Sequence, residues 1–436
     1  MSPVNGRAPW LRDILTLVHP MTQITLDLSH PGSDSTTQRF ELLEPAEGSR
    51  VRLDGLELEQ DKQPATRDTS IDLLRGFALF WILGADEIAS IFRTMAADRE
   101  TLTSRLAGLV GSQLEHAEWE GFRFYDLILP LFIFVTGVSL VFSLSSHQER
   151  HGKSRAQLHV IRRALILYAL GVIYYGGFSQ NWPDIRLLGV LQRIALCYLI
   201  ASILFLNFSL RSLALIVSSL LVGYWALLAL MPVPGAGETA YLPEQNLANW
   251  IDRNYLPGRL WFVTWDPEGL LSTLPAVATC LIGVFAGTVI KDPLRSTFET
   301  SMLLMVAGTL VLMGGYAWSF HFPIIKNIWT SSFVLVAGGY SLFLLGIAQL
   351  VVVGWKTAGP VNALVWLGAN AITLYMINNF IGFSQLATRA VGGDISSYLD
   401  TQFSPGAGRL AVCVVGLTLA LLLARFLYRR RIFLRV

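Results

Sequence analysis

Leu127-Ile-Leu-Pro-Leu-Phe-Ile-Phe-Val-Thr-Gly-Val-Ser-Leu-Val-Phe-Ser-Leu144 holds no charged residue. A run of this kind approaches the roughly 20 apolar residues that cross a hydrocarbon core of about 30 Å. Similar runs recur along the chain. They predict spans near 71–92, 124–145, 159–178, 187–207, 212–231, 270–290, 299–319, 331–353, 361–383 and 408–428. A soluble fold would show amphipathic stripes instead. The expected fold is therefore an all-α polytopic membrane protein with about ten transmembrane helices and a lipid bilayer as solvent.

Composition agrees. Charged residues are 15% of the 436, well under the roughly 25% of soluble domains, and the mean hydropathy is +0.50. Lys plus Arg (33) nearly balance Asp plus Glu (31). With no broad basic face outside short loops, nucleic acid is not an expected partner. Cys197, Cys280 and Cys413 each lie inside an apolar run, and no Cys/His ligand spacing occurs, so neither disulfides nor a metal is expected.

Residues 1–68 read as a short soluble N-terminal segment, ahead of a transmembrane domain over 69–436. Ile24-Thr-Leu-Asp-Leu and Val51-Arg-Leu-Asp-Gly-Leu-Glu-Leu alternate apolar and polar as half-buried strands do; a disordered leader is an equal alternative. Basic residues set the orientation. Arg150, Lys153, Arg155, Arg162, Arg163, Arg211, Lys291, Arg295, Lys356 and the tail from Arg425 to Arg435 fall on one side of a ten-span chain. That side is expected to be the cytoplasm, with both termini there. The opposite side receives the loops 93–123, 232–269 and 384–407, whose mixed charges and Trp residues suggest folded caps.

Ionisable groups inside apolar spans are costly and mark functional candidates. Asp72 and Arg75, three apart, share a helix face and can pair. Asp86 lies fourteen residues beyond Asp72, about 21 Å along a helix, toward the far side. His116 precedes the second span among carboxylates that can tune and orient an imidazole. Asp126 is either a helix-terminal charge or part of the same network. Gln192 and Arg193 sit in the fourth span, where Arg193 must find an anion or carboxylate, such as Asp86. Lys326, Trp329 and Ser331 form a polar approach to another span, with Trp329 alternatively an interface anchor. Asn370 needs amide partners inside the ninth span.

These pieces, read in order, carry a resemblance. Ser70-Ile-Asp-Leu-Leu-Arg-Gly, Trp119-Glu-Gly, the run from Asp126 to Ser139, Gly189-Val-Leu-Gln-Arg-Ile, Asp266-Pro-Glu-Gly-Leu-Leu-Ser-Thr-Leu-Pro, Lys326-Asn-Ile-Trp-Thr-Ser-Ser-Phe-Val and Gly368-Ala-Asn-Ala-Ile-Thr-Leu-Tyr resemble the heparan-α-glucosaminide N-acetyltransferase family. They resemble especially its bacterial members of the NagX/DUF5009 type. The resemblance implies a transmembrane acyltransferase of a bacterial inner membrane. It would take an acetyl group from cytosolic acetyl-CoA to an amino-sugar acceptor, a glucosamine-type amine, on the periplasmic side. It implies His116 and Asp86 as catalytic, with Asp86 standing where the family carries Asn. Asp72, Arg75, Gln192, Arg193, Lys326, Trp329, Ser331 and Asn370 are expected to bind the cofactor. No metal is expected, and a homodimer is admitted without being required. The competing reading is an amino-sugar (N-acetylglucosamine) permease built on the same polar residues.

Overall fold

The computed structural model describes residues 68–96, 102–235, 241–354, 359–403 and 405–433. The soluble segment expected over 1–68, with its two strands, lies outside them apart from Asp68, as do Lys356 and Arg435. Among the described residues the chain is helical, with two isolated β-bridges.

The helices in chain order are α1 (Thr69–Met95), α2 (Leu102–Gln113), α3 (Ile128–His151), α4 (Lys153–Tyr174), α5 (Val190–Asn207), α6 (Leu210–Leu230), α7 (Leu247–Tyr255), α8 (Thr273–Ile290), α9 (Thr297–Ser319), α10 (Ser331–Gly354), α11 (Gly359–Ala369), α12 (Ala371–Ile381), α13 (Phe383–Val391), α14 (Asp394–Gln402) and α15 (Ala407–Arg429). Local chemistry sets several starts. Asp68 caps α1 by accepting from the Ser70 N–H at 2.9 Å. Ser296 and Glu299 form a reciprocal capping box on α9.

The protein is thus an all-α, multi-pass membrane protein. Among the described residues eight helices are long and apolar enough to cross a bilayer: Phe124–His151, α4, α5, α6, α8, α9, α10 and α15. A bent pair brings this to nine at most. The tenth expected span is α1, whose 27 residues are long enough at about 40 Å. Its Asp72, Arg75, Asp86, Glu87 and Arg93 set it apart in composition from the other spans.

One expected span is corrected. The run 361–383 is not one continuous helix; it breaks at Asn370, and α11 and α12 meet at 77°. Asn370 has φ −126° and ψ 28°, outside helical geometry; its N–H closes a tight turn on the Leu367 carbonyl and its carbonyl accepts from the Leu374 N–H to start α12. An apolar run with an amide inside it reads identically whether the helix bends there or not.

The core is built on close helix contacts. α8 lies at the centre, packed against α3, α5, α6 and α10. α1 meets α11 backbone to backbone: a Cβ on Gly368 would lie 1.8 Å from the Asp72 carbonyl oxygen, and one on Gly76 1.7 Å from that of Leu364. Small residues let membrane helices approach this closely, where dispersion contacts drive their association. Three of the long loops carry short helices, α2, α7 and the α13–α14 pair, so the caps expected from the sequence are folded.

Candidate active site

The loop between α2 and α3 begins the site. Trp119-Glu-Gly acts largely through its backbone. Glu120 forms a β-bridge with Ile325, and the Gly121 N–H donates to the Ile324 carbonyl at 2.8 Å. Gly121 has φ +117°, a conformation that side chains disfavour. The Trp119 indole N–H donates to the Tyr241 carbonyl at 2.7 Å and anchors the loop to the next cap. Pairing 120–121 with 324–325 delivers Lys326 to His116.

His116, Asp126 and Lys326 form one cluster. His116 Nδ1 lies 2.8 Å from Asp126 Oδ1. Asp126 is fully buried. Its other oxygen accepts from the Ala117 N–H at 3.2 Å and the Arg123 N–H at 3.0 Å. Lys326 Nζ is 2.8 Å from His116 Nδ1, 3.0 Å from Nε2 and 3.6 Å from Asp126 Oδ1. The lysine cannot bond both ring nitrogens in their lone-pair directions. Asp126 accepts only, so Nδ1 carries the proton that faces it; the ammonium, almost equidistant from both nitrogens, lies over the ring face and leaves the in-plane Nε2 lone pair open. Tyr125 stacks on the imidazole with centroids 4.7 Å apart. Burial lowers the Lys326 pKa, while Asp126 and Glu268 pull it back up.

A second cluster adjoins the first. Arg186 donates to Asp266 Oδ1 at 2.8 Å and to Glu268 Oε2 at 2.7 Å. Its guanidinium lies between the rings of Tyr175 and Trp261, at 4.4 and 4.6 Å. Arg193 is fully buried, donates through Nη2 to the Gly269 carbonyl and to Ser272, and packs over the Trp329 ring at 4.9 Å. Its Nε and Nη1 have no hydrogen-bond partner among the described residues. Burial pushes the Glu268 carboxyl up, against the pull of Arg193, Arg186 and Lys326. Burial likewise lifts Asp252 to about 7, although its carboxylate accepts from the Leu270 N–H at 2.8 Å.

The residues expected from the sequence separate into groups. His116 and Lys326 touch; Arg193 and Trp329 stack beside them. Trp329 is buried with φ +53°, so it is no interface anchor, and its N–H donates to Thr279 at 3.3 Å. Gln192 donates to the Arg186 carbonyl at 3.4 Å. Ser331 donates to the Leu221 carbonyl at 2.7 Å and ties α10 to α6. Asp72, Arg75 and Asn370 cluster elsewhere. Arg75 bonds Asp72 at 3.0 Å, Ser139 at 2.8 Å and the Gly368 carbonyl at 3.4 Å. Asn370 is buried, and its amide oxygen and nitrogen find no partner among the described residues. Asp86 lies in α1, but its side chain is outside the described set. Arg193, for which Asp86 was an expected partner, bonds Gly269 and Ser272.

Sequence reasoning passed over Arg186, Asp252 and Glu268. The signal was the Asp-Pro-Glu-Gly turn at 266–269, whose acids face inward because Asp266 accepts from the Glu268 and Trp261 N–H groups. Asp126 falls into the histidine network, one of its two expected places.

Comparison with known proteins comes to the same ground. The family model described as heparan-alpha-glucosaminide N-acetyltransferase, catalytic, matches residues 67–323. That stretch includes His116, Asp126, Arg193 and Glu268; Lys326 lies just beyond it. The Homo sapiens heparan-alpha-glucosaminide N-acetyltransferase is 26% identical over 479 aligned positions, covering 92% of this chain and 66% of that protein. The Mus musculus protein of the same name is 27% identical, covering 89% and 64%. The chain therefore spans a little under two thirds of these relatives' length. With more than half of its residues matched by the family model, the chain belongs to the heparan-alpha-glucosaminide N-acetyltransferase catalytic family.

Proposed function

We propose that this protein is a transmembrane N-acetyltransferase, passing the acetyl group of acetyl-CoA to the amine of an amino sugar. The observation that carries the reading is His116 Nδ1 held 2.8 Å from a fully buried Asp126. A buried carboxylate fixes the tautomer and stabilises the imidazolium that forms when Nε2 takes a proton.

The step balances as follows. The acceptor ammonium first releases one proton to solvent. The amine nitrogen then bonds to the acetyl carbonyl carbon while His116 Nε2 takes the second proton. As the C–S bond breaks, His116 returns that proton to the leaving thiolate. The Lys326 ammonium over the ring opposes the charge that forms on His116, so it must move aside or lose its proton as Nε2 is protonated. The buried, unpartnered Arg193 Nε–H and Nη1–H suit a developing oxyanion.

The donor is proposed to approach from the basic side. α3 runs from the His116 network to Arg150, and its 24 residues are about 36 Å long. The basic residues of the α3–α4 and α8–α9 connections and the end of α15 lie opposite His116 on this topology. In a bacterial inner membrane they would face the cytoplasm, and the acceptor would be periplasmic. The buried Asn370 amide, unpartnered beside the Arg75 cluster, suits a polar group of the donor's arm.

The test uses purified protein in liposomes, with acetyl-CoA inside and glucosamine outside. N-acetylglucosamine should form only with acetyl-CoA present, and not with H116A. Glucosamine or N-acetylglucosamine flux without acetyl-CoA would favour a permease instead.

A further inference from the structure

A cleft of about 350 Å³ opens between α1, α13, α14 and α15, at the end of α15 opposite its basic terminus. That size is at the lower end of ligand pockets, which run roughly 300–1,000 Å³. Glu87, Ser90, Thr388, Ser396 and Arg409 line it. Arg409 donates to the Ser90 hydroxyl. Glu87 and Arg409 form no ion pair with each other among the described residues. The cleft thus presents a carboxylate, a guanidinium and hydroxyl groups separately to one space.

It is not the His116 site. Phe77 and Trp81 of α1 face Phe124 beside that site, with centroids 6.1 and 5.1 Å away. Glu87 lies six residues past Trp81, which turns it about 120° round the helix at 100° per residue.

The position at bilayer depth narrows the occupant. α15 has 23 residues, about 35 Å, so its first turn lies near the edge of a core about 30 Å thick. Arg409 is in that turn. A cleft that carries a carboxylate and a guanidinium at the depth of the lipid headgroups matches a zwitterionic lipid head.

We propose that this cleft binds the headgroup of a zwitterionic phospholipid bearing a primary ammonium, such as phosphatidylethanolamine. The ammonium would donate to Glu87 and neighbouring hydroxyls. The phosphate would accept from Arg409, a charge-assisted pairing that suits guanidinium geometry. A trimethylated headgroup cannot donate to Glu87, and an anionic headgroup without an amine leaves that carboxylate unpaired. This inference stands apart from the acetyltransferase reading.

The experiment is lipid binding by native mass spectrometry and thermal unfolding on delipidated full-length protein. Phosphatidylethanolamine, its mono- and dimethyl derivatives, phosphatidylcholine and phosphatidylglycerol are each added in mixed micelles. Affinity and stabilisation should fall stepwise with methylation. E87Q should weaken phosphatidylethanolamine about tenfold or more and leave phosphatidylcholine unchanged. R409Q should weaken all the phospholipids. Equal effects of every headgroup, or an undiminished ethanolamine preference in E87Q, would overturn the proposal. So would binding of glucosamine alone that depends on Glu87, which would assign the cleft to a sugar. Should E87Q not fold, the methylation series on the unaltered protein decides.

Discussion

Lys326 Nζ stands 3.0 Å from His116 Nε2, although 210 residues separate them. The ammonium lies over the imidazole face, where its charge opposes protonation of the base, and it also sits 3.6 Å from Asp126.

The base assignment is tested first. H116A should lower acetyl transfer by roughly 10²–10⁴, the usual worth of a general base, with an unchanged unfolding temperature. D126N should lose at least about 10² of the rate, because an amide need not hold the same tautomer. Product formation by purified protein is the readout. Near wild-type turnover in either variant would remove the histidine–aspartate pair from the mechanism.

Lys326 should leave a mark on the pH profile. Burial lowers its pKa, so its ammonium loses its proton at lower pH than an exposed lysine. Below that point the ammonium over the ring opposes formation of the imidazolium; above it the lysine is neutral and that opposition is gone. Transfer should therefore rise on the alkaline side in the wild type. K326R, which does not titrate there, should show no such rise in kcat.

Arg193 is assigned to charge developing on the acetyl oxygen. R193K keeps a cation but loses the fixed fork. The kcat should fall roughly 10²–10³, as when an oxyanion donor is removed, with KM for the amine little changed. A change in KM alone would instead mean a role in binding the acceptor.

Asp252 should make stability depend on pH. Its pKa rises from 3.8 to about 7, so between those values the folded state holds a proton that the unfolded chain has released. The associated stability is fully present below about pH 4 and is lost as pH rises through about 7. The unfolding temperature should fall across that window, and D252N should flatten the curve. A flat wild-type profile would refute the shift.

Gly368 should tolerate no side chain. A Cβ there would meet the Asp72 carbonyl oxygen at 1.8 Å, forcing α11 away from α1 and stretching the Arg75 contact to Gly368. G368A should cost about 1–3 kcal/mol of stability, the range for overpacking a filled core. Thermal unfolding in detergent measures it.

Much of this was legible in the sequence. Uncharged runs of bilayer length announced the membrane helices, since hydropathy is a local property. His116 and Asp126 fell within one short stretch and were singled out before any contact was known. Lys326 was noticed as polar but expected at the cofactor, because nothing local ties residue 326 to residue 116. Glu268 stands in a stretch that carries the family resemblance but, like Asp252, receives no site role from the sequence, since acids in a cap loop look solvated until the fold buries them. Ser331 and Gln192 looked like candidate ligands, yet their hydrogen bonds go to backbone carbonyls of the protein itself.

The sequence by itself determined the membrane class, most of the helix positions, and the histidine–carboxylate segment ahead of α3. These depend on interactions between residues near in the chain. Tertiary structure alone decided the bend at Asn370, the burial of Trp329 beneath Arg193, and the meeting of Lys326 with His116. That meeting follows from the bridge between Glu120 and Ile325, a backbone pairing across some two hundred residues that no local pattern encodes.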